Sequence, residues 1–376
     1  MYPVGKPAAF TGGTELYLHR VAAGLAQSHV VHVVTPDLDA MEQRGPTLFY
    51  WGPDAFPKKA DVVALWHNLA FARDYDADKY LCATNGTDSW LGPDHQWAEL
   101  IDAWPVFSQV HADLLHQMRP TVDPAKCHVT GLGIDLDDYS EGDCGLCVGG
   151  GCPDGIRSAL DNAKVPGRIF VSNDPARGLF HVLDIFDRVR AAVPEASLHV
   201  GYDFERQFGL HRWRASALAE MLWDCRRRLA TTPGVVSLGA LTRAQLVAEQ
   251  LACQVHVWPS DPPNVGSQIY AGLTQVECAA AGCALVLSNC EAIPETFDGV
   301  AEILPVPGTF APQIERRIDA QDWADIVVDL MRDPAKWAEA SAKARARAER
   351  ETWDAVVGRW QSMLAFLGGQ ASKEAA

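Results

Sequence analysis

Residues 253–295 constrain the fold more than any other stretch. Cys253–Trp258 is a continuous apolar run, which reads as a buried strand. A loop of Pro, Gly, Asn and Ser residues follows, then a short helix carrying Glu277 in Val-Glu-Cys-Ala-Ala-Ala-Gly. A second apolar run, Ala284–Leu287, forms the next strand and leads into a loop that ends in Ala-Ile-Pro-Glu295. Strand, polar loop, helix and strand make half of a doubly wound α/β sheet. Ligands of such sheets bind beyond the strand C-termini, where helix N-termini present free N–H groups. A Gly/Ser loop feeding a helix there suits a diphosphate, and a carboxylate one turn into the helix can accept hydrogen bonds from sugar hydroxyls. The same residues also make an ordinary αβ connection with a solvated glutamate, and this stretch alone leaves both readings open.

The 376 residues set a prior of two to three domains, and 48% apolar with 21% charged residues is ordinary for globular cores. A formal charge of −16 disfavours nucleic acid or an anionic membrane as the main partner. Apolar runs fall short of the ~20 residues of a spanning helix, and no charged-then-apolar leader opens the chain. The ten cysteines are scattered, with Cys82, Cys253, Cys278 and Cys283 inside apolar segments, as in reduced cytoplasmic chains. A soluble, cytoplasmic, two-domain protein is expected.

Taken in order, Gly12 and Gly13 open a helix over Leu16–Gln27, and Val30–Thr35 reads as a buried strand. A glycine pair lets the backbone approach a ligand closely. Asp61–Trp66 is another buried strand that delivers His67 to its C-terminal end, either into a ligand crevice or as a rim histidine bonded to backbone. Leu81–Trp90 contains a further strand end with the turn formers Asn85, Gly86, Thr87 and Asp88. Trp104–Ser108 is a strand and Gln109–Met118 a helix. Its His111 and His116 are five apart, on different helical faces, and so are not a metal pair.

Cys127–Thr130 is a strand into Gly-Leu-Gly-Ile-Asp135. Residues 140–155 are glycine-rich and place Cys144, Cys147 and Cys152 at C-x2-C-x4-C spacing. Three thiolates fit part of a zinc or iron–sulfur site, or a redox pair, but no second C-x2-C or nearby histidine completes four ligands. A flexible interdomain loop is expected there.

The second domain begins near Gly167. Arg168–Ser172, Ser197–Tyr202 and Val235–Leu238 read as strands, with Arg177 and Gly178 opening a helix through Ala192. Arg206–Ala230 is a basic helical region, and Thr242 is the expected N-cap of a helix to Leu251. Helices over Asp319–Met331 and Pro334–Arg350 precede a last one, Trp353–Leu367, with one apolar face. Boundaries are set at 1–139, 140–166 (insertion and linker), 167–350, 351–368 (a helix packing back on the first domain) and 369–376, a disordered tail.

Several stretches coincide, in order, with one family. GGTE (12–15), His67, Ser108, GLGID (131–135), S-x-x-P-x-R-G-L (172–179), LHVGYD (198–203), VVSLGALTRAQL (235–246), VECAAAG (276–282), AIPE (292–295) and TWDAVVGRW resemble the retaining, nucleotide-sugar-dependent glycosyltransferases of family four, the glycosyl transferases group 1. That resemblance implies a GT-B architecture, two Rossmann-like doubly wound domains facing across a cleft. It places Gly12 and Gly13 under the donor phosphates and sugar, His67 near donor sugar and acceptor, and Arg177 on the diphosphate. Glu277 matches the second glutamate of an E-x7-E motif and would bond the ribose, while the turn at Leu241 would meet the nucleobase through its backbone. Asn173, Asn264, Gly266 and Ser267 complete the implied donor site. Two departures stand out. The first glutamate position falls on Ile269; with Asn264 in its place, five extra residues precede Glu277. A second basic residue near Arg177 is replaced by Asn173 and Asp174.

The implied activity is transfer of a hexose-type sugar, with retention, from a UDP or GDP sugar to a small molecule, glycan or polymer, with His67, Arg177 and Glu277 at the reacting centre. No cofactor or metal is required, since arginine replaces the cation. A non-catalytic GT-B protein that binds a nucleotide sugar or glycan, or scaffolds a partner, is the alternative. A nucleotide-sugar epimerase is a further one, which would need an acid and a base carboxylate not assignable here.

Overall fold

A computed structural model describes residues 13–35, 42–44, 47–51, 58–66, 72, 74–83, 95–139, 164–204, 217–259, 272–290, 292–305 and 318–374. They form two compact units, one of residues 13–133 and 351–374, the other of 134–259 and 272–350.

The first unit comprises α1 (Gly13–Leu25), β1 (His32–Thr35), β2 (Glu42–Arg44), β3 (Thr47–Trp51), β4 (Lys59–Trp66), β5 (Asp76–Ala83), β6 (Trp104–Val106), α2 (Gln109–Met118) and β7 (Cys127–Val129). β3 pairs parallel with β1 and antiparallel with β2, while β4 with β5 and β6 with β7 form parallel ladders. A parallel bridge, Leu81 to Ala103, links the last two ladders. Period-two alternation splits their side chains into two cores. Val63, Leu65, Cys82, Trp104 and Val106 pack with Ala112 and Leu115 of α2. On the other side, Leu81, Ala83 and Ala103 meet Tyr17 and Val21 of α1 and the C-terminal helix Trp353–Glu374. A buried hydrogen-bond chain locks this second core. Trp360 Nε1 donates to the Tyr17 hydroxyl (2.8 Å), which shares a 3.0 Å bond with Thr130 Oγ1, and Thr130 donates to the Val106 carbonyl (3.1 Å). Burial pushes the Tyr17 phenol up to about 12.

Several sequence expectations change in this unit. The first strand begins at His32 rather than Val30, and Val30, which precedes the pairing, is 83% exposed. β4 is buried only at alternate positions, because one of its faces is left largely open. β5 runs back to Asp76, well before the expected Leu81, since Asp76 and Asp78 are exposed and Lys79 is met by Asp102 at 3.1 Å. The expected disordered tail from residue 369 is helical to Glu374, because Gln370 through Glu374 contain no proline to stop the helix.

The second unit adds β8 (Arg168–Val171), α3 (Leu179–Ala192), β9 (Ser197–Val200), α4 (Ala217–Thr231), β10 (Val235–Ser237), α5 (Arg243–Ala252), β11 (Val255–Trp258), α6 (Leu273–Ala280), β12 (Ala284–Ser288), α7 (Ile293–Phe297), β13 (Glu302–Leu304), α8 (Ala320–Arg332) and α9 (Pro334–Ala348). Six strands form one all-parallel sheet in the order β10-β9-β8-β11-β12-β13. Every residue of β11 and β12 is buried, as expected of central strands covered on both faces. Counted within the unit the order is 3-2-1-4-5-6, the doubly wound arrangement, whose direction of winding reverses between β8 and β11. The division between units falls after Gly133, so Asp138 and Tyr139, placed in the first domain on sequence, belong to the second. Their side chains are bonded to α5, as described below. No described helix is long and apolar enough to cross a membrane.

Candidate functional site

The reversal between β8 and β11 locates the ligand crevice of a doubly wound sheet at the C-terminal ends of those strands. After β8 the chain passes Ser172 and Asn173, makes a short 3-10 turn over Pro175–Arg177, and enters α3 through Gly178. Asp174 caps the turn, accepting the Ala176 N–H at 3.0 Å. Gly178 has φ of 130°, open to glycine and strained for other residues, which is why this sharp entry carries one. It gives α3 no side-chain cap, so the helix start keeps N–H groups available to an anion. Arg177 is half-buried at the same turn. The Asn173 Oδ1 atom is buried and has no hydrogen-bond partner among the described residues.

Across the reversal, α6 starts at Gly272, again with no side-chain cap. Two uncapped helix starts therefore follow the two strands that flank the switch point. The third wall comes from β9 and β10. Gly201 follows β9, and a Cβ built there would lie 2.6 Å from Leu241 Cδ1, so the glycine makes room for that side chain. Thr242 then caps α5, as expected from the sequence, and the structure adds a reciprocal box with Gln245. Next to Gly201, burial first and then Asp174 and Asp203 raise the Tyr202 phenol above its ordinary range.

Glu277 lies one turn into α6 and is buried at 3% exposure. Its Oε1 accepts from Arg243 Nη1, and its Oε2 accepts from Gln250 Nε2 at 3.1 Å. Arg243 also donates to Asp138 Oδ2 from Nε (3.1 Å) and Nη2 (2.9 Å). The Tyr139 hydroxyl donates to Gln250 Oε1 at 2.8 Å. Burial opposes the charge on Arg243, but Glu277, Tyr139 and Asp138 outweigh it and hold the guanidinium above its ordinary pKa. One guanidinium thus serves two buried carboxylates. The sequence reading did not single out Asp138, Tyr139, Arg243 or Gln250. The available signal was Arg243 itself, a cation at the first position of a helix, where the dipole disfavours it.

Of the expected site residues, the structure brings Asn173 and Arg177 to the switch point, Leu241 to its flank, and Glu277 to the buried network beneath α6. Gly13 is the exposed first residue of α1, in the other unit. Gly12, His67, Asn264, Gly266, Ser267 and the Cys144/Cys147/Cys152 cluster lie outside the described residues, as do Asn85 to Asp88. Ser108 caps α2, accepting the His111 N–H at 3.0 Å. His111 and His116 point to different groups, the Phe107 N–H (3.2 Å) and the Val122 carbonyl (2.8 Å). Burial holds His181, in the first turn of α3, down to about 4.

No protein-family model matches the chain, and no curated protein sequence matches it. Solved structures do. The sucrose-phosphate synthase of Thermosynechococcus elongatus superposes with a TM-score of 0.69 at 16% identity, over 98% of this chain and 98% of that one. A glycosyltransferase from Rickettsia africae ESF-5 gives 0.65 at 12% identity, over 94% of each chain. An α,α-trehalose-phosphate synthase (UDP-forming) from Burkholderia xenovorans, solved with glucose-6-phosphate, gives 0.64 at 12% identity, over 94% and 96%. At such identities the likeness establishes the fold, which is the GT-B architecture of two Rossmann-like units.

Proposed function

We propose that the chain is a glycosyltransferase of the group 1 type. It moves a sugar, with retention, from a nucleotide-diphosphate sugar to a small-molecule, glycan or polymer acceptor. The observation that carries this reading is the switch point, where two uncapped helix starts and Arg177 gather at the C-terminal ends of β8 and β11. Loss of a nucleoside diphosphate builds negative charge on phosphate oxygens. Helix N–H groups and a guanidinium placed there stabilise the departing charge without a metal ion. The motif order in the sequence and the GT-B fold of sugar-transferring neighbours support the same reaction class. The turn at Leu241, whose side chain packs over Gly201, is assigned to the nucleobase at the β9–β10 edge. His67 is assigned to the sugar and acceptor side on its sequence match alone. All seven described cysteines are thiols, which fits a reducing, cytoplasmic setting.

The test is to incubate the purified chain with a panel of UDP, GDP and ADP sugars, following binding, release of the diphosphate and the anomeric configuration of any product. One panel member binds and is slowly hydrolysed or transferred with retention, and Arg177→Ala abolishes turnover. Neither binding nor hydrolysis across the panel overturns the proposal. A second reading, a nucleotide-sugar-binding protein without turnover, is favoured by one observation. Both carboxylate oxygens of Glu277 are already held by Arg243 and Gln250. Turnover lost in Arg177→Ala excludes it.

A further inference from the structure

Gln275 is the third residue of α6 and is 2% exposed. Helical side chains lean toward the helix N-terminus, and this one folds back over the N-cap. A Cβ built on Gly272 would lie 2.3 Å from Gln275 Oε1 and 3.7 Å from Nε2, so the bare glycine is what admits the carboxamide to the helix start. Once there, Oε1 is buried without a hydrogen-bond partner among the described residues. Buried amide oxygens are nearly always paired, and an unpaired one carries its full desolvation cost. Gln250, by contrast, is fully buried and bonded at both ends of its amide.

The missing partner has a definite chemistry. A carbonyl oxygen only accepts, so an ionised phosphate, which also only accepts, cannot satisfy it, whereas a hydroxyl can. The start of α6 therefore offers two kinds of group within one turn, N–H donors without a side-chain cap and a buried acceptor. Donors suit phosphate oxygens; the acceptor suits a hydroxyl beside them. We infer that Gln275 reads the sugar of the donor, its Oε1 accepting a hydrogen bond from a sugar hydroxyl while the helix start holds the diphosphate. This rests on the donor reading above and sharpens it from the nucleotide to the transferred group. It also supplies a polar contact in a chain whose first acidic motif position is occupied by Ile269.

The experiment compares calorimetric affinities of the full chain for UDP-glucose and UDP, GDP-mannose and GDP, and ADP-glucose and ADP. The variants are Gln275→Met, which keeps length but removes the acceptor, and Gln275→Glu, which keeps an acceptor. For the accepted base, Gln275→Met weakens the sugar nucleotide about tenfold and leaves the bare diphosphate within about twofold. Gln275→Glu retains the ratio of the two affinities, whatever its effect on each. An unchanged ratio in Gln275→Met makes Gln275 a core residue and overturns the inference, as does equal weakening of both ligands. Wild-type protein that binds no sugar nucleotide and no diphosphate overturns the donor reading itself, which separates the two failures.

Discussion

Two buried glutamines, 25 positions apart in the same unit, are treated oppositely. Gln250 closes a network in which Tyr139, Arg243, Asp138 and Glu277 are joined by hydrogen bonds. Gln275 keeps an amide oxygen that no described residue meets. Both are buried, at 0% and 2% exposure, so access to solvent does not account for the difference. The network lies at the junction of the 134–139 segment with α5 and α6, where a polar interior holds three chain segments together. Gln275 lies at a helix start on the switch point, where the fold has its ligand crevice. The bonds of Gln250 serve the architecture, whereas the unpaired oxygen of Gln275 at the helix start is the one we assign to a ligand.

The strongest way to break that contrast is to open the closed side. Replacing Arg243 with Met leaves Asp138 and Glu277 as buried, unpaired carboxylates. The expected loss is about 3–5 kcal/mol of unfolding free energy, read from urea titrations. Neutralising the partners in the same background, with Asp138→Asn and Glu277→Gln, recovers part of it. A loss no larger than that of an exposed ion pair, under about 1 kcal/mol, contradicts a closed network.

Acid tests the other helix at the switch point. His181 in the first turn of α3 is held near 4 by burial, against an ordinary value of 6.5, so the fold carries it neutral. As pH falls through 6.5 the unfolded chain takes up a proton that the folded chain refuses. Stability from this group is therefore present above 6.5 and lost progressively down to about 4, on the order of 3 kcal/mol in all. Carboxylates titrate in the same range, so the measurement is the difference between wild type and His181→Leu, whose acid limb is shallower by that amount. Parallel limbs contradict it.

Between the two glutamines, Gln250→Met is the costly replacement. It takes the acceptor from the Tyr139 hydroxyl, which keeps only the bond it accepts from Arg243 Nη2 (3.2 Å), and removes one of the two bonds to Glu277, a loss of about 2 kcal/mol in urea unfolding. Destabilisation indistinguishable from that of the same change at Gln275 erases the contrast.

The two sides also differ in how far the sequence reveals them. Strands buried on both faces, such as β11 and β12, are visible as apolar runs, and the Thr242 cap is visible from its residue type and position. β5 is hidden because its first half carries Asp76, Asp78 and Lys79 on exposed or ion-paired positions. The doubly wound half around the switch point was legible, and so were the positions of Asn173, Arg177 and Leu241 on the turns beside it, while their roles belong to the proposal. The network was not, because its bonds join positions 105 and 34 residues apart, and linear spacing carries no trace of such pairs. Glu277 was legible as a residue to watch but not as an ion-paired one. Gln275 stood in plain view within Leu-Thr-Gln-Val-Glu-Cys-Ala-Ala, where an amide in a buried helix is the only hint. Whether a buried amide has a partner is a property of the fold.

The smallest expected effect is therefore the most diagnostic. In the ligand-free protein, Gln275→Met exchanges an unpaired carboxamide for an unbranched thioether of similar length. Removing the unpaired oxygen recovers a desolvation cost of about 1–3 kcal/mol. Reshaping the pocket over Gly272, where the carboxamide already lies close to the backbone, costs up to about 1.5 kcal/mol even for a volume-conserving exchange. The net change in unfolding free energy is near zero or stabilising by about 1 kcal/mol, with the urea midpoint unchanged or raised. A midpoint that falls as far as in Gln250→Met means that Gln275 is bonded in solution after all. A midpoint that holds or rises, together with a weakened sugar nucleotide, separates the group kept for a ligand from the group kept for the fold.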